Sequence, residues 1–104
     1  MPSIIEPELI NETKILPPYN VILINDEYHT YEYVIGMMQT LFGYPREKGY
    51  KLALEVDKSG RAIVLTTSKE HAELKRDQIH SFGADHLSSK KCEGSMTAVI
   101  EPAN

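Results

Sequence analysis

The first strongly patterned stretch of the chain is Val21-Ile22-Leu23-Ile24, a continuous apolar run rich in β-branched residues. Such a run reads as a short buried strand. It stops at Asn25-Asp26-Glu27, where Asn and Asp side chains bond their own backbone and favour a turn. Beyond the turn the period changes. Tyr31, Val34, Ile35, Met38, Leu41 and Phe42 fall at i, i+3, i+4, i+7, i+10 and i+11, one face of an amphipathic helix. Thr30 is its expected N-cap and Gly43 its stop. Pro45 suits the first turn of a second helix, which runs through Leu52, Ala53 and Val56 and ends before Gly60. Arg61 to Thr67 reads as a second strand. Thr67-Ser68-Lys69-Glu70 has capping-box spacing and opens a third helix, which Gly83 ends. A polar loop from Ala84 to Gly94 follows, then a third strand from Met96 to Glu101, closed by Pro102. Residues 1–18 are poorly periodic, end in Pro17-Pro18, and read as a flexible arm before a core domain of residues 19–102. The order β-α-α-β-α-β predicts a single α+β domain, one sheet with its helices packed on one face.

Composition narrows the function. The chain has 104 residues, which fits one domain. Its net charge of −4 gives no electrostatic footprint for a nucleic-acid backbone. Cys92 is the only cysteine, so neither an intrachain disulfide nor a multi-cysteine zinc site is expected, and a reducing compartment is favoured. The first 18 residues carry Glu6, Glu8 and Glu12 and lack the basic start and apolar core of a signal peptide. No apolar run approaches the ~20 residues needed to cross a bilayer. A cytoplasmic monomer is the expectation.

Catalytic chemistry finds little support. His29 lies near Asp26 and Glu27, a grouping in which a metal could be imagined, but one histidine among turn acids is common by chance. His71 and His80 lie nine apart rather than at the i, i+4 spacing of a helical metal pair. Cys92 has no nearby motif partner for a nucleophile, and there is no phosphate-binding glycine loop. No cofactor is expected, and an enzyme is the least favoured class.

Four blocks together carry a family resemblance. They are Pro18-Tyr19-Asn20-Val21-Ile22-Leu23-Ile24-Asn25-Asp26-Glu27-Tyr28; Glu32-Tyr33-Val34; Leu52, Leu54 and Val56 with Gly60-Arg61-Ala62-Ile63; and Glu70 with Glu73 and Lys75. In this order and spacing, over about residues 18–102, the chain resembles the ClpS family of Clp protease adaptors. The resemblance implies a three-stranded antiparallel sheet with three helices on one face, a fold shared with the C-terminal domain of a ribosomal stalk protein. It also implies a function: binding a free N-terminus that carries Leu, Phe, Tyr or Trp, and passing the substrate to a ClpA- or ClpC-type AAA+ unfoldase. That task needs acceptors for an ammonium held just outside a dry apolar socket. By resemblance the ammonium lies against Asn25, Asp26 and Asp57. The socket is lined by Tyr31, Val34, Ala53, Val56 and Met96, and Glu70 and Lys75 contact the unfoldase.

Three of these positions depart from the family's usual residues. Asp57 stands where the family commonly has His, and Tyr31 and Ala53 stand where it commonly has Met. A carboxylate near a helix C-terminus faces the negative end of the macrodipole, at a cost of about 0.3–1 kcal/mol. Asp57 therefore either pairs with a cation such as the ligand's ammonium or is a solvated residue before Gly60. The alternative function is a diverged interaction domain whose changed pocket binds another partner.

Overall fold

The computed structural model describes residues 16–26, 28–85 and 94–103. Its elements are β1 (Tyr19–Ile24), α1 (Tyr31–Phe42), α2 (Arg46–Ser59), β2 (Arg61–Thr67), α3 (Lys69–His80) and β3 (Thr97–Pro102). β1 is the central strand of an antiparallel sheet ordered β2-β1-β3. One sheet face carries Val21, Leu23, Ala62, Val64 and Ala98, which pack with Val34, Met37 and Met38 of α1, Leu52, Ala53 and Val56 of α2, and Ala72 and Ile79 of α3. The opposite face is open, yet Ile22 on it is only 2% exposed. Arg61 pairs opposite Ile24 and Glu101 opposite Asn20, and their side chains meet at 2.9 Å. That bridge runs diagonally over Ile22 and shields it.

The helix ends follow the sequence signals closely. The Thr30 hydroxyl accepts from the Tyr33 N–H, and Gly43 adopts a left-handed φ of 70°. Gly60, with φ 87°, closes α2 by donating to the Val56 carbonyl. Several boundaries differ from expectation, among them the start of β3, which is Thr97 rather than Met96. β1 begins at Tyr19 because that residue pairs with both Thr67 and Pro102. Pro102 continues β3 rather than closing it, which an edge strand tolerates because the missing N–H is not needed on its outer side. The N-cap of α3 is Ser68, whose hydroxyl accepts from the His71 N–H, because Thr67 is still held in β2. Accordingly α3 ends at His80, and Gly83, with φ 113°, shapes the turn beyond it. The expected arm lies largely outside the described residues, as do Glu27, Cys92 and most of the loop expected between Ala84 and Gly94.

Both outer edges of the sheet are interrupted. The register of β1 against β2 shifts between Val21 and Ile22, leaving Val64 as the extra residue of a bulge. Its carbonyl accepts from the Tyr44 hydroxyl at 2.7 Å. On the other edge, His80 Nε2 lies 3.0 Å from the Ala98 carbonyl oxygen and 3.1 Å from its nitrogen. The C-terminal end of α1 has no basic residue of its own. Lys75 of α3 donates to the Leu41 carbonyl at 2.5 Å and lies 5.3 Å from the centre of the Phe42 ring.

Helices α1 and α2 approach closely at Gly49. A Cβ built there would meet the Ile35 Cα at 3.2 Å, whereas one at Gly36, also helical, meets nothing within 4 Å. Opposite outcomes are therefore expected. Gly49→Val should lower stability by about 1–3 kcal/mol through overpacking, and Gly36→Ala should raise it by about 0.5–1 kcal/mol through helix propensity. Chemical denaturation of the two variants beside the parent measures both signs.

Candidate functional site

At the end of β1 the Asn25 N–H donates to the Gly60 carbonyl at 3.0 Å. This one bond sets the last turn of α2 beside the β1–α1 turn. Asn25, Asp26, Tyr31, Val34, Ala53, Val56, Asp57 and Met96 border a single cavity of about 310 Å³, near the lower end of the size range of ligand pockets. All eight residues expected at the site from the sequence thus lie together. His29 and Thr30 border the cavity too and were not expected there.

The apolar side of the cavity is contributed by α1, α2 and the residue before β3. Val34, Ala53, Val56 and Met96 are each less than 5% exposed. Val34 follows Tyr31 by one helical turn and Ala53 precedes Val56 by one, so each pair lies on one helix face. The polar side differs residue by residue. The Asn25 side chain is exposed. The Asp26 carboxylate is turned into its own turn, where Oδ1 accepts from the Tyr28 N–H at 2.8 Å and the His29 N–H at 3.1 Å. His29 Nδ1 lies 2.7 Å from Asp26 Oδ2. The histidine is thus an integral part of the turn, and its spacing of three from Asp26 is the signal that could have shown this.

Asp57, in the last turn of α2, accepts a hydrogen bond from the Tyr31 hydroxyl at 2.6 Å. The Tyr31 ring centre lies 5.8 Å from that of Tyr50. Ala53 sits between positions 50 and 57 on α2, so a larger residue there would crowd the ring that spans them. The bond to Asp57 holds the Tyr31 phenol in its protonated form, with desolvation adding to the effect, and pushes its pKa up to about 12. A phenol that donates to a carboxylate is harder to ionise because the phenolate would face a like charge.

Glu70 is exposed near the start of α3. Lys75, half-buried, donates to the Leu41 carbonyl at the C-terminal end of α1. Among the described residues no group of three or more His, Cys, Asp and Glu is placed to hold a metal ion, and no helix is long and apolar enough to cross a membrane.

The molecule is a small α+β open-sheet domain with a lined cavity between two helices, and comparison with known proteins gives its family. Residues 14–93 match the family described as ATP-dependent Clp protease adaptor protein ClpS. The chain belongs to the ClpS family. It is 33% identical over 81 residues to the Clp protease adapter protein ClpS of Roseobacter denitrificans, covering 78% of this chain and 72% of that protein. With the adapter protein ClpS of Pectobacterium carotovorum it shares 39% identity over 75 residues, 70% of this chain and 71% of that one. The fold is similar to that of Agrobacterium tumefaciens ClpS2 bound to L-phenylalaninamide, with a TM-score of 0.70 and 22% identity, covering 83% of this chain and 96% of the other.

The Tyr31–Asp57 bond has a direct optical readout. The phenolate absorbance of the parent minus that of Tyr31→Phe should titrate near pH 12, and Asp57→Asn should return that ionisation toward the ordinary value of 10.0. Because the folded-state pKa is raised, the bond's contribution to stability is full below about pH 10 and is lost as pH rises through about 12. An ionisation of Tyr31 unchanged by Asp57→Asn would count against the bond.

Proposed function

We infer that the chain is a non-catalytic adaptor that binds proteins through a free N-terminal residue with a large hydrophobic side chain and delivers them to a ClpA- or ClpC-type AAA+ unfoldase. The observation that carries this reading is the single cavity with Val34, Ala53, Val56 and Met96 on its apolar side and Asn25 and Asp57 on its polar side. An N-terminal residue has the matching two-part chemistry. Its side chain gains about 1.5–3 kcal/mol on full burial, and its ammonium needs acceptors at the mouth. The ligand bound to the structurally similar ClpS2, L-phenylalaninamide, combines a free amine with a phenyl ring. Asn25 offers an amide oxygen and Asp57 a carboxylate whose Oδ1 remains beyond the Tyr31 bond. Asp26 supports the turn that presents Asn25. The exposed Glu70 faces outward for a partner, and the adaptor acts as a cytoplasmic monomer without a cofactor.

A second reading is favoured by one observation: the Tyr31 hydroxyl already occupies Asp57. On that reading the cavity serves a different partner and Asp57 is a structural acceptor.

Titration with a Phe-starting peptide and its N-acetylated twin separates the two. The adaptor reading expects the free amine to bind and the acetylated peptide to lose affinity. Asn25→Ala and Asp57→Ala should each weaken the free-amine peptide by about 1.5–3 kcal/mol, the worth of a hydrogen bond to a charged group. Equal binding of the two peptides would favour the second reading. Pocket shape gives a further expectation. With the aromatic Tyr31 and the small Ala53 both on the lining, Phe or Tyr should be preferred to Leu at the first position. Ala53→Met should weaken the aromatic ligands, since overpacking commonly costs about 1–3 kcal/mol. A peptide series differing only in its first residue, run on the parent and on Ala53→Met, measures this.

A further inference from the structure

We propose that His29 is a doubly protonated strut, a positioning residue that joins the β1–α1 turn to Gly94 and so sets the Met96 wall of the cavity. The His29 side chain is only 4% exposed, and both of its ring nitrogens face oxygen. Nδ1 lies 2.8 Å from Asp26 Oδ1 and 2.7 Å from Oδ2. Nε2 lies 2.8 Å from the Gly94 carbonyl oxygen, 65 residues away in the chain. A carbonyl oxygen can only accept. A carboxylate whose Oδ1 already accepts from the Tyr28 and His29 N–H groups is likewise an acceptor. An imidazole between two acceptors is satisfied only when it donates from both nitrogens, which requires a proton on each. The ring also packs on Tyr33, centres 4.5 Å apart.

The groups around the strut fix what it holds. On one side Asp26 belongs to the turn that follows Asn25. On the other, Gly94 leads directly into Ser95 and Met96. Ser95 is itself tied to Gly83, whose N–H donates to its hydroxyl. The Gly83 carbonyl accepts from the Tyr33 hydroxyl at 2.5 Å. The next backbone N–H after His29, that of Thr30, donates to the buried Asp85 carboxylate at 2.5 Å. The segment entering Met96 is therefore pinned at two successive residues, and one of the two pins is the imidazolium. The same proton sets the charge at the cavity mouth. His29 neutralises Asp26, so Asp57 is left as the carboxylate there that a ligand cation can meet.

The consequence for binding rests on the adaptor reading above; the protonation of the ring and the fastening of Met96 do not. Nitrogen-15 NMR of the histidine rings in the full chain should find both His29 nitrogens protonated at neutral pH. Asp26→Asn removes the charge but keeps an acceptor for the backbone, and should return the ring to a single proton at the same pH. A neutral His29 ring in the parent would overturn the proposal. His29→Gln, which cannot donate at both ends, should shift the Met96 methyl resonance and weaken a Phe-starting peptide about tenfold, the order expected for a lost bond to a charged group. An unmoved Met96 methyl in His29→Gln would also overturn it. If the parent binds no N-terminal peptide, the adaptor reading fails, and the ring spectrum and the Met96 methyl still decide the strut.

Discussion

Among the described residues β1 alone has a strand partner on both sides, and the positions of the other elements are referred to it. Val21 and Leu23 are fully buried because helices cover one face and β2 and β3 close both edges. A strand so placed must hand its chain back to the surface abruptly. The hand-over falls at Asn25, whose backbone bond to Gly60 joins the end of the strand to the end of α2. The cavity exists because of this junction. The turn after β1, the first turn of α1 and the last turn of α2 meet there, and the residue entering β3 fills the remaining side.

Within that junction the polar groups divide into two sets. Asp26, His29 and Asp85 look inward and bind backbone, so their hydrogen-bonding capacity is used in building the rim. Asn25, Tyr31 and Asp57 look toward the opening. The Tyr31–Asp57 bond joins α1 to α2 across that opening. A carboxylate at the C-terminal end of a helix is poorly placed against the helix dipole, and the phenol gives it a donor. Lys75 makes the corresponding correction at the far end of α1, where a cation from α3 meets the Leu41 carbonyl. In both places a helix end is completed by a side chain from a neighbouring helix.

Much of this was legible in the sequence, for identifiable reasons. The α1 period and its Thr30 and Gly43 caps are local features, and the helix begins and ends where they say. The eight residues named from the sequence border one cavity because the element order brings the β1–α1 turn, α1, the end of α2 and the residue before β3 together. What the sequence hid is pairing across distance. Nothing near His29 announces Gly94, and nothing near Lys75 announces Leu41. The register that brings Arg61 and Glu101 together over Ile22 also depends on both neighbours of β1. Propensity misplaced the α3 cap by one residue because Thr67 and Ser68 are both good caps, and the strand pairing of Thr67 decides between them.

Among the described residues the sheet has three strands, and the way it stops has a consequence for the protein in concentrated solution. An unpaired strand edge is a template on which another chain can add itself, the first step toward fibrous aggregation. Here the Tyr44 hydroxyl caps the bulged Val64 carbonyl on one border, and His80 occupies the backbone of Ala98 on the other. An incoming strand would find its ladder broken near the middle of β2 and near the start of β3. Two side chains thus give this small open sheet the resistance to self-templating that larger folds obtain by closing into a barrel.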